Sequence, residues 1–413
     1  MKTNLINDFL ATPEGEAANK ILRSCVHCGF CNATCPTYQL LGDELDGPRG
    51  RIYLIKQTLE GKAPGRKTQL HLDRCLTCRN CESTCPSGVN YSHLLNIGRS
   101  VINEKVARPV HQRILHFLLR KIFLTPAAFS TLLAGGQLIK PILPAALKKS
   151  VPQKHKKIHF HRHTHTRKIL LVPGCVQSSL NPNIDQAAKI VFDKLNIECI
   201  ETPSAGCCGS LSHHLNAEEE AISIIKTNID SWWPLIKNKS IEAICMTASG
   251  CSVAIKEYEQ LLANDKDYAL KAKVVSALYK DPAEIVAGGS YAEKQATIKQ
   301  LNKNRAIPEG NKTVAFHPPC TLQHGMQLKN IIEPLLDNCG YTLQVFKDKH
   351  LCCGSAGTYS ITQKSLSQQL LSNKLKNIDA TAPDIIATAN IGCQLHLQSG
   401  TSTPVKHWLE LLV

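Results

Sequence analysis

Two copies of one cysteine pattern constrain this chain more than any other feature. In each copy four cysteines are separated by two, two and three residues, and proline follows the last. The copies are Cys25-x2-Cys28-x2-Cys31-x3-Cys35-Pro36 and Cys75-x2-Cys78-x2-Cys81-x3-Cys85-Pro86. This spacing is typical of the bacterial ferredoxin run that holds two [4Fe–4S] clusters. Zinc sites favour paired Cys-x2-Cys units instead, so zinc and disulfides are the weaker interpretations.

The spacing also predicts which cysteines share a cluster. The first three thiolates of a run can surround one corner of a cluster, whereas the fourth points away and reaches the neighbouring cluster. We therefore expect one cluster to be bound by Cys25, Cys28, Cys31 and Cys85. We expect the other cluster to be bound by Cys75, Cys78, Cys81 and Cys35. A chain with two such clusters is expected to transfer electrons.

Length and cysteine content limit the remaining possibilities. The 413 residues are enough for two or three domains, and they include 19 cysteines. The N-terminal sequence has no apolar segment typical of a signal peptide and no twin arginine, so we expect a cytoplasmic protein. In that compartment thiols stay reduced and are available as metal ligands.

The formal net charge of +15 favours acidic partners or an anionic membrane surface. Nucleic acid is the competing partner. However, only 5% of the residues are aromatic, and there is no helix-turn-helix, RNA-binding or zinc-finger motif. Much of the excess charge lies between Arg99 and Lys168. We therefore expect a position on the inner face of the cytoplasmic membrane, and no nucleic-acid partner.

A basic, apolar connector follows the cysteine runs. Ile114, Leu118 and Ile122 recur every four residues among basic side chains, which predicts a basic amphipathic helix. Such a helix suits a membrane interface or a partner's groove, and it equally suits packing against its own protein. Residues 122–139 are uncharged, but their proline and glycines argue against a membrane-spanning helix. For the histidine tract that follows, a solvated linker is favoured over a metal site. That tract comprises His155, His159, His161, His163 and His165.

The C-terminal region contains an internal repeat. Each half has one cysteine, then a Cys-Cys-Gly turn, then a cysteine preceded by glycine. The first half contributes Cys175, Cys207, Cys208 and Cys251, and the second contributes Cys320, Cys352, Cys353 and Cys393. The first two elements of the halves are offset by 145 residues and the third by 142. Agreement of this kind indicates a duplication.

Within each half, apolar runs alternate with helical patterns, which predicts a mostly parallel sheet. The expected strands are residues 168–173, 197–200 and 241–246 in one half and 313–317, 341–346 and 384–389 in the other. Loops at the carboxyl ends of parallel strands meet at one edge, so the four cysteines of a half are expected to converge. The three remaining cysteines, Cys199, Cys245 and Cys339, are interpreted as small buried apolar residues.

The expected fold class is therefore α+β multidomain. Residues 1–100 form a small α-helical, two-cluster ferredoxin-type domain, and residues 101–166 form the connector. Residues 167–295 and 296–413 form the two α/β Cys-Cys-Gly repeats.

Adjacent cysteines in a reducing compartment favour a metal site, because a vicinal disulfide is strained. Four thiolates in each half suffice for a further iron–sulfur cluster or for one zinc ion, and both interpretations stay open. His317, just before Cys320, is a further candidate for binding or tuning such a centre. The sequence lacks dinucleotide-binding, Walker A and His-Glu-x-x-His motifs. We expect no substrate site in this chain and a partner that performs the two-electron oxidation.

These motifs resemble a known family, and the resemblance covers essentially the whole chain. The ferredoxin pair followed by two Cys-Cys-Gly repeats is similar to the iron–sulfur subunits of bacterial glycolate oxidase. It also resembles the iron–sulfur proteins of anaerobic glycerol-3-phosphate dehydrogenase, of lactate utilisation and of heterodisulfide reductase. The most characteristic segments are residues 25–31, 42–51, 72–81 and 351–359.

The resemblance implies an electron-transfer subunit in a complex with FAD-binding subunits that oxidise glycolate to glyoxylate. Electrons would pass from the flavin through this chain to a membrane quinone. Alternatives are the equivalent subunit of a glycerol-3-phosphate or lactate dehydrogenase, or a thiol–disulfide reductase that works at a Cys-Cys-Gly centre. One departure matters: heterodisulfide-reductase relatives end each repeat in Cys-x2-Cys, whereas Ala248 and Asn390 stand here at the first of those positions.

The polar block of residues 43–51 is rich in glycine and follows the first cysteine run directly. Arg49 and Arg51 of this block either dock a flavoprotein or belong to a loop that wraps the clusters internally, and the internal loop is favoured.

Overall fold

The computed structural model describes residues 1–142, 144, 152, 158, 160, 163–202, 206–303 and 312–413. The chain divides into two compact units. The N-terminal unit comprises Met1–His116 and Asp348–Lys374, and the repeat unit comprises Phe117–Lys347 and Leu375–Val413. The expected fold class is confirmed, with a helical N-terminal region followed by duplicated α/β repeats. The four domain boundaries given above stay a prediction.

The N-terminal unit is built from helices, and residues 1–116 contain no strand. Its helices are Asn7–Leu10, Pro13–Ser24, Phe30–Ala33, Pro36–Leu41, Pro48–Leu59, Arg66–Asp73, Asn80–Thr84, Tyr91–Lys105 and Tyr359–Thr362, with a 3-10 turn at Glu44–Asp46. Two further helices, Val110–Leu124 and Lys364–Asp379, begin in this unit.

Close packing of three helices forms the core of the N-terminal unit. Helix Pro13–Ser24 begins at Thr12, whose side chain accepts a hydrogen bond from the backbone N–H of Gly15. Helices Pro48–Leu59 and Tyr91–Lys105 pack closely at Gly98, where an added Cβ would lie 2.6 Å from Ile55 Cγ1. Buried leucine and isoleucine side chains fill the space between these helices. The segments that carry the cysteines are anchored to this core.

The repeat unit contains two parallel sheets. The first has the order β2-β1-β3, with β1 at Arg167–Leu171, β2 at Ile197–Ile200 and β3 at Ala243–Cys245. The second has the order β5-β4-β6-β7, with β4 at Thr313–His317, β5 at Thr342–Leu343, β6 at Ile385–Thr388 and β7 at Val405–His407. In both sheets the first strand of the repeat lies at the centre, between the second and the third.

Helices connect these strands. They are Gln177–Leu180, Asn183–Lys194, Ser210–His214, Glu218–Lys237, Ser249–Lys256, Tyr258–Leu261, Ala269–Leu278, Pro282–Ala287, Tyr291–Asn302, Glu333–Asn338 and Ile391–Gln398. A π-helical turn at Thr321–Gly325 and a 3-10 turn at Trp408–Leu411 complete them. Before β1 lie helix Pro126–Ile139 and the 3-10 turn Lys140–Ile142.

The central strand β1 is buried on both faces. Ile169 and Leu171 belong to a core shared with β4, whereas Leu170 and Val172 belong to a second core on the opposite side. Burial on both faces explains why this strand is a continuous apolar run, as is usual in parallel sheets. The shared core joins the two repeats and orients their strands.

Among the predicted strands, 197–200 and 313–317 match β2 and β4 residue for residue. The prediction for 341–346 was too long, because only Thr342 and Leu343 pair with β4. Strand β7 was not predicted; its counterpart in the first repeat is a single parallel bridge between Ile244 of β3 and Tyr279. No single described helix is long and apolar enough to cross a membrane. Val110–Leu124 and Pro126–Ile142 qualify only jointly, by length and composition, and they meet at a bend of 98°.

Candidate metal centres

One cavity of the N-terminal unit gathers cysteines from both runs. Its lining includes Cys25, Cys28 and Cys31 of the first run together with Cys85 of the second. Cys81 also reaches the wall of this cavity. Cys25 ends helix Pro13–Ser24 and Cys85 ends helix Asn80–Thr84, so two helix ends bring the thiols together. The structure thus places beside one another the four cysteines expected to share the first cluster.

The second expected set is also brought together. The pKa of Cys81 is raised well above its usual value, first by burial and then by the proximity of Cys78, Cys75, Glu82 and Cys35. Cys35 of the first run therefore lies within electrostatic reach of the second run. The Cys75 sulfur accepts hydrogen bonds from the backbone N–H of Thr77 at 3.5 Å and from the Tyr91 hydroxyl at 3.6 Å.

These thiols suit a metal cluster by their chemistry. Burial, followed by the charge of Cys25, raises the pKa of Cys31 to about 11, and burial raises the pKa of Cys25 as well. Without metal such thiols hold their protons, and several thiolates so close together would repel one another. Iron bound by these cysteines would replace those protons and neutralise the repulsion. A cavity walled by four thiols fits an iron–sulfur cluster on these grounds.

The same backbone turn occurs in both cysteine runs. His27 and Gly29 have φ values of 57° and 85°, and their counterparts Thr77 and Arg79 have φ values of 52° and 58°. A residue other than glycine in this left-handed region is strained by about 1–2 kcal/mol. Such strain persists where the surrounding structure determines the backbone, as in loops that bind ligands.

Arg51 is an internal element of the N-terminal unit. Its side chain is fully buried and donates to the His71 carbonyl at 2.7 Å and to Thr37 Oγ1 at 3.1 Å, and it pairs with Asp46 at 3.5 Å. Its Nη1 lies 4.0 Å from the sulfur of Cys35. The structure therefore excludes Arg51 as a docking residue. Half-exposed Arg49 pairs with Glu44 at 2.6 Å.

The four cysteines of the first repeat are connected by hydrogen bonds. Cys207 interacts with Cys175 and Cys208, and Cys208 interacts with Cys251. Hydrogen bonds from Cys175 and Cys208, despite the opposing effect of burial, lower the pKa of Cys207 to about 4. Cys175 follows β1 and Cys251 lies in the helix after β3, so the cysteines meet at the carboxyl ends of the strands.

The Cys-Cys-Gly turn of the first repeat is held from outside the motif. Asn228 Nδ2 donates to the Cys207 carbonyl at 2.7 Å, and the Tyr258 hydroxyl donates to the Cys208 carbonyl at 2.9 Å. The backbone N–H of Gly209 donates to the Cys207 sulfur at 3.4 Å. Sequence reasoning missed Asn228 and Tyr258, because neither belongs to a spaced motif.

The second repeat has the same turn. The backbone N–H of Gly354 donates to the Cys352 sulfur at 3.4 Å, as in the first repeat. Cys352 and Cys353 belong to the N-terminal unit, where the Tyr359 hydroxyl donates to the Arg74 carbonyl at 3.1 Å. Cys320 follows β4 and Cys393 lies in helix Ile391–Gln398, both in the repeat unit. Convergence of all four cysteines in this repeat stays a prediction.

Other candidates are placed as follows. Cys245 and Cys339 are buried among apolar side chains, and Cys199 is half-buried in β2. His163 and His165 both contact the Asp193 carboxylate, at 3.0 and 2.8 Å. His155, His159 and His161 lie outside the described residues. His317 is fully buried as the last residue of β4, and its role at a metal centre stays a prediction.

Two family models match the chain. A 4Fe-4S dicluster domain matches residues 21–89, and a cysteine-rich domain matches residues 169–256 and 314–398. The glycolate oxidase iron-sulfur subunit of Escherichia coli K12 is 48% identical over 413 residues, which are 100% of this chain and 98% of that protein.

The chain belongs to the family of glycolate oxidase iron–sulfur subunits.

The chain is also similar to more distant relatives and to one solved structure. The probable glycolate oxidase iron-sulfur subunit of Bacillus subtilis is 26% identical, over 94% of this chain and 89% of that protein. Lactate utilization protein A of Bacillus pumilus is 23% identical, over 56% of this chain and 90% of that protein. A crystal structure of a hypothetical protein from Helicobacter pylori has a TM-score of 0.53 and 12% identity, and the match covers 98% of this chain and 74% of that one. That likeness concerns the fold alone.

Proposed function

We propose that this chain is the electron-transfer subunit of a glycolate-oxidising complex. In this proposal FAD-binding partner subunits oxidise glycolate to glyoxylate, which releases two electrons and two protons. The electrons pass through this chain to a quinone at the inner face of the cytoplasmic membrane. The observation that carries the proposal is 48% identity to a glycolate oxidase iron-sulfur subunit along the entire chain.

We assign the cluster ligands from the positions of the cysteine thiols. Cys25, Cys28, Cys31 and Cys85 would hold one [4Fe–4S] cluster, and Cys75, Cys78, Cys81 and Cys35 would hold the other. Each cluster, when bound, would carry one electron at a time. The chain itself buries the thiols of Cys25, Cys35 and Cys81 and places the positive charge of Arg51 beside Cys35.

The two Cys-Cys-Gly repeats are proposed as further metal centres. Cys175, Cys207, Cys208 and Cys251 form one set, and Cys320, Cys352, Cys353 and Cys393 form the other. The connected thiols of the first set support this assignment, since a metal replaces the protons that they share. Four thiolates suit either iron–sulfur or zinc, so metal analysis of variants that lack the ferredoxin cysteines identifies the metal.

Cysteine variants test the crossed ligation. Cys85→Ala should lose the same EPR signal as Cys28→Ala, and Cys35→Ala should lose the same signal as Cys78→Ala. Cys339→Ala, at a buried cysteine away from all sets, should keep both signals and the full iron content. Loss of the same signal in Cys85→Ala and Cys78→Ala would contradict the assignment.

The physiological reaction is tested in the complex. Co-purification from native membranes should recover flavin-containing partners, and glycolate added anaerobically should bleach the iron–sulfur absorbance of this chain. Lactate or glycerol 3-phosphate serves as the control substrate. Bleaching by one of these compounds but not by glycolate would reassign the complex to the corresponding dehydrogenase.

A further inference from the structure

Two bent helices lie between the cysteine runs and the first repeat. Val110–Leu124 and Pro126–Ile142 meet at a bend of 98°. One side of this pair is attached to the repeat unit: Arg120 and Lys121 both donate to the Glu220 carboxylate, at 3.1 and 3.2 Å. Phe129 is buried, and its ring lies 5.3 Å from that of Phe123. These contacts attach the pair to the rest of the repeat unit, while several of its apolar side chains stay in solvent.

The pair also carries large apolar side chains that are exposed. Six large apolar side chains within Phe117–Ile142 are exposed, and we call them the apolar face. They are Phe117 (50%), Leu118 (47%), Leu132 (57%), Leu138 (81%), Ile139 (49%) and Ile142 (84%). Residues 126–139 include no charged side chain that would make this face soluble. Several exposed apolar side chains within one short segment mark an interaction surface.

The stretch of sequence that contains the apolar face is strongly basic, and Glu220 from outside this stretch neutralises part of that charge at Arg120 and Lys121. Residues 105–184 contain 14 lysines and arginines and no aspartate or glutamate. The other 333 residues contain 34 lysines and arginines and 33 acidic residues, a net charge of +1. Nearly the whole net charge of +15 therefore belongs to the stretch that contains the apolar face.

We propose that the apolar face docks on an anionic lipid bilayer. Its apolar side chains insert at the level of the headgroups, while Lys121 and Lys140, which belong to the same two helical segments, contact lipid phosphates. The combination of exposed apolar side chains with flanking basic residues is characteristic of interfacial helices. Basic charge spread over a long stretch matches the uniform field of an anionic membrane better than a single acidic patch on a protein. This inference deepens the proposed function, in which electrons leave toward a membrane quinone.

Vesicle binding tests the docking surface. The full chain, purified anaerobically with its clusters, is sedimented with phosphatidylcholine vesicles and with vesicles of phosphatidylcholine and phosphatidylglycerol in equal parts. The chain should sediment with the anionic vesicles only, and binding should weaken as salt screens the lipid charge. The double variant Leu138→Glu/Ile142→Glu should bind the anionic vesicles about tenfold more weakly or worse.

The chain offers a matched control for this variant. Leu270 and Val345 are exposed to 81% and 82%, almost the same as Leu138 and Ile142, but they lie outside residues 105–184. The control Leu270→Glu/Val345→Glu changes the net charge by the same amount and should bind vesicles nearly as well as the unaltered chain. Equal loss of binding in both double variants would overturn the proposal, since net charge alone would then explain the effect.

Two further outcomes also overturn membrane docking. One is failure of the unaltered chain to bind anionic vesicles. The other is unchanged vesicle binding by Leu138→Glu/Ile142→Glu together with loss of the flavoprotein partners in co-purification, which would assign the face to a protein interface. Iron content and anaerobic reduction by glycolate in the complex are measured on the same variants. These readouts test the electron-transfer function separately, so that it stands or fails independently of docking.

Discussion

Replacement of Arg51 by methionine should destabilise the N-terminal unit strongly. The guanidinium is fully buried and makes hydrogen bonds to the His71 carbonyl, to Thr37 and to Asp46. Methionine fills most of the same volume but donates no hydrogen bond, so the change removes the charge and keeps the packing. Asp46 would lose one of three partners, since Arg74 at 2.8 Å and His71 at 3.1 Å remain.

The size of the effect follows from these contacts. Breaking a buried ion pair on one side costs about 3–5 kcal/mol, and hydrogen bonds to a charged group contribute about 1.5–3 kcal/mol each. Because Asp46 keeps two partners, we expect a loss near the lower end, about 3 kcal/mol. For a unit of this size such a loss lowers the melting temperature by roughly 6–12 °C.

Arg49→Met is the matched control, since Arg49 lies in the same block but its pair with Glu44 leaves both side chains more than one-third exposed. Surface pairs of that kind contribute about 0–1 kcal/mol. Thermal loss of the iron–sulfur absorbance, measured anaerobically at one heating rate, compares the two variants. If both melt within about 2–4 °C of each other, a difference of roughly 1 kcal/mol, then the buried network is not what stabilises this unit.

Three further predictions concern the two units separately. Gly354→Ala should destabilise the Cys-Cys-Gly turn by about 3 kcal/mol in thermal unfolding, because its φ is +93° and the added Cβ would lie 2.6 Å from a backbone oxygen. Gly357→Ala, at φ +61° with open space around it, should cost only about 1–2 kcal/mol. In metal-free protein at about pH 6, iodoacetamide should modify Cys207 before Cys175, because only Cys207 is a thiolate there; equal rates would contradict the lowered pKa. Burial raises the pKa of Asp281 to about 7 in the folded protein. The bound proton of Asp281 therefore stabilises the fold fully at pH values below the pKa of this group in the unfolded chain. That stabilisation disappears as the pH rises through about 7. Urea unfolding of Asp281→Asn should therefore show a flatter pH dependence over that range, and an unchanged slope would contradict this.

Most of what could be predicted about the sites came from the spacing of cysteines along the chain. Cysteines with two or three residues between them stay close in space, so the ferredoxin runs and their expected division between two clusters could be predicted from the chain itself. The duplication likewise predicted the parallel strands, because the same apolar runs precede the same cysteines in both halves. The left-handed backbone of Thr77 and Arg79 was not predicted, since neither residue type favours that conformation.

Tertiary structure decided which distant residues support the sites. The charge pattern of residues 43–51 left Arg49 and Arg51 equivalent, whereas packing buried Arg51 beside Cys35 and left Arg49 half-exposed. The segment Asp348–Lys374 belongs to the N-terminal unit, and the hydrogen bond from Tyr359 to Arg74 there joins residues 285 positions apart.

The sequence by itself thus predicted the ligand sets and determined the repeat and the family, because those depend on chemistry and spacing along a short stretch of chain. Only the tertiary structure decided burial and the choice of supporting side chains such as Asn228 and Tyr258. Those depend on the sum of many weak contacts between segments that are far apart in the chain, and no local pattern records that sum.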